Sequence, residues 1–135
     1  MPRGPTIYPA LSYHDAPAAI RWLEQAFGFR TLMNVQSEDG KVHHAELALG
    51  DGVIMLGSER ADFGWASPLS LPATNQSVYV VVEDPDAHCN RAKAAGAEIT
   101  RELEDTDYGS RGYSAKDIEG HHWSFGTYRP AMQEA

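Results

Sequence analysis

The chain repeats itself, and this constrains its fold more than any other feature. Sliding the sequence by 69 residues brings Leu11 onto Val80, Tyr13 onto Val82, Asp15 onto Asp84, Leu49 onto Ile118, Leu56 onto Phe125 and Gly57 onto Gly126. The glycines that end two helical patterns, Gly28 and Gly96, match at an offset of 68, one residue less, as a single deletion in a helix would produce. Agreement of strands, a helix cap and a terminal glycine at nearly one offset predicts tandem copies of one supersecondary unit.

Each copy reads β-α-β-β-β. In the first, residues 6–13 alternate as a strand, and residues 16–27 carry Ala19, Ile20, Leu23 and Phe27 at helical spacing behind the capping Asp15. Strand-like runs follow at 29–37, 41–49 and 52–58, broken by the turn pairs Asp39-Gly40 and Asp51-Gly52. Residues 59–75 have no sustained period and contain Pro68 and Pro72, which reads as a linker or a loop over a pocket. The pattern restarts with a strand at 76–83, a helix from Asp84 to Ala95, and strands at 97–103, 110–118 and 121–128. The expected architecture is α+β: one domain over 1–135, with module one at 6–58 and module two at 76–128. A module of about 60 residues is marginal for folding alone, so the two are expected to share a core.

The chain has 135 residues, with 11 Lys and Arg against 19 Asp and Glu, a net charge of −8. Phosphate backbones and anionic membranes would repel such a protein, which argues against both as partners. The single cysteine, Cys89, allows no intramolecular disulfide, and no run of about 18 apolar residues occurs, so a cytoplasmic location is expected.

Strand alternation sorts the side chains by face. Ile7, Pro9, Leu11, Tyr13, Ala45, Leu47, Leu49, Val78, Val80, Val82, Trp123 and Phe125 are assigned to the helix side as core. The opposite face holds Tyr8, Ala10, Ser12, His44, Glu46, Ala48, Ser77, Tyr79, Val81, His122, Ser124 and Gly126, with one carboxylate and no lysine. Such a face suits a ligand cavity better than bulk water. Met55, Arg111 and Tyr113 are assigned to the same side, Arg111 as a partner for an anionic group. Phe63 and Trp65, in the loop between modules, could lid the cavity and stack on a planar ligand. Trp22, Trp123 and Cys89 read as core; His88 beside Cys89 makes no catalytic pair, because neighbours on a helix diverge by about 100°.

The segments YPALSYHDAPAAIRWLEQAFGF, HAELALGDGVIMLG and YGSRGYSAKDIEGHHWSFGTY resemble the vicinal oxygen chelate superfamily, also called the glyoxalase/bleomycin resistance/dioxygenase superfamily, over residues 6–128. Within it the chain looks most like the bleomycin-resistance-like and PhnB-like branch. The resemblance implies paired βαβββ modules, a curved mixed sheet around a cavity with helices on its outer face, and a homodimer that can exchange modules. Metal-using members place ligands at positions that map here to Tyr8, Met55, Ser77 and Ser124. A phenol, a thioether and two hydroxyls are poor donors for zinc, iron or nickel, so no metal and no other cofactor is expected. A displaced site would need His44, Glu46 and His122 to meet. The leading expectation is a metal-independent binder of an aromatic or cationic small molecule, through Tyr8, His44, Glu46, Met55, Trp65, Ser77, Tyr79, Arg111, Tyr113, His122 and Ser124. The alternatives are a lyase, isomerase or dioxygenase using a displaced metal or Glu46 and His122 as acid and base, and an interaction module pairing with itself.

Overall fold

A computed structural model describes residues 4–132. Its first module runs β1 (Ala10–Tyr13), α1 (Ala16–Phe27), β2 (Arg30–Gln36), β3 (Val42–Leu49) and β4 (Gly52–Ser58), and its second runs β5 (Ser77–Val81), α2 (Pro85–Ala94), β6 (Glu98–Asp105), β7 (Arg111–Lys116) and β8 (His122–Gly126). Each module forms its own four-stranded mixed sheet, ordered β1-β4-β3-β2 and β5-β8-β7-β6, with the first-listed pair parallel and the rest antiparallel. The repeat is therefore a repeat of topology. Both helices begin alike: Asp15 accepts from the Ala18 amide and Asp84 from the Ala87 amide, the same cap in each copy.

Two local expectations shift. The first strand starts at Ala10 rather than residue 6, because Pro9 can accept from the Met55 amide but has no N–H to carry the ladder further. Ile7, outside the strand, is 82% exposed instead of core. The β3–β4 turn places Gly50 and Asp51, not Asp51 and Gly52, at its centre. Leu49 pairs with Gly52, and Gly50 takes the positive φ of 58° at the first central position, as a type II′ turn requires. Two short 3-10 turns, Ala61–Phe63 and Pro68–Ser70, order the loop between the modules.

The two modules share one core. The α1 side chains Ile20, Leu23 and Phe27 are buried, and the Phe27 ring lies 5.5 Å from Trp123 and 4.7 Å from Phe125 on β8. Cys89 is fully buried on α2 as a core thiol. Side chains of α2 also satisfy the carbonyls that α1 leaves open at its C-terminus: Arg91 donates to Glu24 and Gln25, and His88 Nε2 donates to Phe27. His88 Nδ1 is thereby the acceptor, taking the Tyr113 hydroxyl at 2.6 Å. Burial, chiefly, pushes the His88 pKa below the usual imidazole value, with the Arg91 charge in the same direction and the Phe27 bond opposing it.

That sign sets a pH dependence. Below about pH 6.5 the unfolded chain protonates this imidazole while the fold resists, so its contribution is present above that pH and fades as pH falls. Replacing it by His88→Gln should cost about 1–2 kcal/mol at pH 8 for two weakened hydrogen bonds. The gap to the parent should narrow on acidification to pH 5, as read by urea unfolding at both pH values. A gap that stays constant would contradict the assigned neutral tautomer.

The junction between modules is polar and buried. Asp117 and Glu119, in the β7–β8 turn, are 6% and 5% exposed. Asp117 Oδ2 accepts from Tyr13 Oη at 2.5 Å and Trp123 Nε1 at 3.0 Å, and its Oδ1 accepts from the Glu119 and His121 amides. Glu119 accepts from the His14 and Asp15 amides and from the Ser67 hydroxyl, which ties the inter-module loop to both halves. Burial and the adjacent Asp117 carboxylate hold the Tyr13 phenol far above its usual pKa, so it stays a donor. Among the described residues, no helix is long and apolar enough to cross a membrane.

Candidate functional site

The first sheet turns one face to α1 and leaves the other open. Across that open face run Ala10 and Ser12 on β1, Met55 and Gly57 on β4, and His44 and Glu46 on β3, with Val35 and Met33 of β2 opposite the last two. The inter-module loop folds over it. Arg60 and Trp65 close a small backbone bridge, and Trp65 stands 58% exposed with its ring 5.2 Å from Phe63. Between loop and sheet lies a cavity of about 670 Å³, within the range of small-molecule sites.

Ala10 and Met55 form its floor, with the core residues Leu11 and Leu56 at its border; Trp65 and Leu71 come from the loop; Ser12, Ser58, Asn75, Gln76, Arg60, His43, His44 and His121 supply the polar groups. Among the described residues no carboxylate borders it. Gly57 keeps the floor low, since a Cβ there would approach the His43 and Val42 carbonyl oxygens to 3.3 and 3.4 Å. Arg60 is held by both oxygens of Asp62, and its guanidinium lies 4.4 Å from the Phe63 ring centre. His44 Nε2 is 2.8 Å from Glu46 Oε2, and His121 Nε2 is 2.9 Å from the Ser12 carbonyl.

Of the residues singled out from sequence, His44, Met55 and Trp65 border this cavity, and Glu46 stands beside it, bonded to His44. Tyr8 lies ahead of β1 and outside the lining. Ser77, Tyr79, His122 and Ser124 lie on the second sheet, where Ser77 pairs with His122 and Tyr79 with Ser124. There the Tyr79 hydroxyl sits over Gly126, 3.1 Å from where a Cβ would be, and donates to the Tyr128 carbonyl. Tyr79 is the repeat partner of Ala10, and Gly126 of Gly57. A methyl leaves the slot open in module one; a phenol fills it in module two.

Arg111 and Tyr113 are corrected. Both lie on the helix side of β7: Tyr113 is fully buried, bonded to His88 and packed 5.3 Å from Phe125, while Arg111 pairs with Asp86 at the start of α2 and with Asp105. Burial raises the Tyr113 pKa, and the Asp86 hydrogen bond raises that of Arg111. The open side of β7 is Gly112 and Ser114, whose hydroxyl meets that of Ser124 at 2.8 Å.

Alternation places Ser12 on the cavity face, as found, but does not point to His43, Arg60, Leu71, Asn75, Gln76 or His121, which also border the cavity. His121 precedes β8, in a turn from which its ring reaches the Ser12 carbonyl of module one.

The four positions that would hold a metal do not fit one. Tyr8 and Met55 belong to the first module and Ser77 and Ser124 to the second, with no imidazole, carboxylate or thiolate among them, and Ser124 is bonded to Ser114. Nor do three His, Cys, Asp or Glu side chains converge among the described residues, so His122 is not brought to the His44–Glu46 pair.

Residues 8–125 match the family model described as Glyoxalase/Bleomycin resistance protein/Dioxygenase superfamily. The uncharacterized protein Rv0887c of Mycobacterium tuberculosis is 37% identical over 125 residues, 90% of this chain and 74% of that one. The crystal structure of TioX from Micromonospora sp. ML1 is similar at a TM-score of 0.74 and 35% identity, covering 96% of this chain and all of that one. The fosfomycin resistance protein FosX from Listeria monocytogenes, in its complex with Mn(II) and sulfate, superposes at 0.69 with 14% identity over 94% of each chain, a likeness of fold.

Proposed function

This chain belongs to the Glyoxalase/Bleomycin resistance protein/Dioxygenase superfamily, and from that premise we propose that it is a metal-independent binding protein for small aromatic compounds. The observation that carries this reading is the make-up of the cavity. An apolar floor at Ala10 and Met55 and an indole at Trp65 line the same cavity, an arrangement that suits a flat ring between aliphatic and aromatic surfaces. Its ionisable neighbours are Arg60, His43, His44 and His121, so charge favours a neutral aromatic over a cation. The acid–base alternative draws less support, because Glu46 is paired with His44 on the first sheet while His122 lies on the second. Exposed Met33 and Val35 continue the open face to the sheet edge and support closure of the site by a second copy.

The test is a thermal-shift titration with quinoline, run beside Zn²⁺ and Mn²⁺. A ligand at about 100 times its Kd stabilises by about 2.7 kcal/mol, a shift of several degrees in a domain of this size. Quinoline should give that shift and the metals should not change its affinity. Light scattering on the same preparation should give twice the 14.8 kDa chain mass. No response to quinoline, with stoichiometric metal stabilisation lost in Glu46→Ala, would overturn the proposal.

A further inference from the structure

We infer that the cavity selects aromatic compounds carrying a ring O–H or N–H donor, read by two imidazoles locked as acceptors; the inference rests on the proposed binding of aromatics. His44 Nε2 faces the Glu46 carboxylate at 2.8 Å, and His121 Nε2 faces the Ser12 carbonyl at 2.9 Å. Neither partner has a proton to give, so each imidazole must carry its hydrogen on Nε2. In the neutral ring the other nitrogen, Nδ1, is then an acceptor.

Both Nδ1 atoms are available. Neither has a hydrogen-bond partner among the described residues, yet no buried side-chain nitrogen or oxygen there lacks one, so both are open to solvent. Both residues border the cavity, whereas Glu46 does not. Opposite His44 and Glu46 on β2 stand Val35 and Met33, which offer no competing donor. Arg60 is already held by Asp62. The amides Asn75 and Gln76 and the Ser12 hydroxyl can serve as donor or acceptor, so they adapt to a ligand. The two histidines have fixed polarity, and fixed groups discriminate: a site built to meet an O–H rejects the analogue that cannot supply it.

The probes are 2-naphthol and 2-methoxynaphthalene, equal in ring surface and different in the donor, titrated at pH 8 by calorimetry. The parent protein should prefer the naphthol by about tenfold, the scale of a hydrogen bond to an acceptor that the bound ring shields from water. In the double variant His44→Leu/His121→Leu that ratio should fall to about twofold or less. Because His121 also contacts module one, a second measurement avoids the variant: in the ¹⁵N spectrum of the parent, the single naphthol donor should move at least one of the two Nδ1 resonances, and the methyl ether should move neither. Equal affinity for the two probes, or unmoved Nδ1 signals at saturation with naphthol, would overturn the inference while leaving aromatic binding intact. Failure of both probes and of quinoline to bind would instead overturn the reading beneath it.

Discussion

Replacing Asp117 by alanine should destabilise the fold by about 3–5 kcal/mol, the largest effect expected of any single polar substitution in this chain. Four donors converge on this carboxylate, two on each oxygen: the Tyr13 hydroxyl and Trp123 indole on one, the Glu119 and His121 amides on the other. At 6% exposure, water cannot easily replace it. The tyrosine comes from module one and the other three donors from module two, so the loss falls where the halves join. For a domain of this size the melting temperature should drop by about 10 °C or more, measured by calorimetry. Asp117→Asn should fall between parent and alanine, since its amide keeps one acceptor. Asp51→Ala, on an exposed turn, should stay within about 0.5 kcal/mol. A cost below about 1 kcal/mol for Asp117→Ala would show that the junction does not depend on this residue.

Trp65→Ala should weaken quinoline binding by about 10- to 100-fold, since it removes the aromatic wall of the cavity and the apolar area that covers the ligand. The indole is more than half exposed, with the Phe63 ring beside it, so thermal stability without ligand should hardly change. Affinity and stability thus separate in this variant, as they would not if Trp65 merely fastened the loop. Trp65→Phe should retain most of the binding. Undiminished affinity in Trp65→Ala, by calorimetric titration, would remove the loop from the site and with it the proposed mode of binding.

The fold was legible in the sequence because its determinants are local and occur twice. Asp15 and Asp84 cap, Gly28 and Gly96 stop, and strand alternation gives the same order of elements in each half. The site was legible only where alternation had one clean phase. On β3 and β4 the apolar set Ala45, Leu47, Ile54 and Leu56 fixes the core side, so His44 and Met55 could be assigned to the open face. On β7 neither Arg111, Tyr113, Ala115 nor Gly112, Ser114, Lys116 is plainly apolar. The buried set contains a hydroxyl whose partner, His88, is 25 residues away on another element. Chain crossings hid the rest. His121 and the inter-module loop reach the cavity through contacts across the two modules, which no spacing rule encodes.

Two copies of one module suggest two binding sites in each chain. The phenol of Tyr79, standing where its repeat partner Ala10 leaves room, occupies the second copy's slot from within and ties itself to the Tyr128 carbonyl. On the proposed function the chain is monovalent despite its duplicated architecture, and a pair of chains would be bivalent rather than tetravalent. On that reading one copy offers its slot to outside molecules, and the other fills its slot with its own side chain.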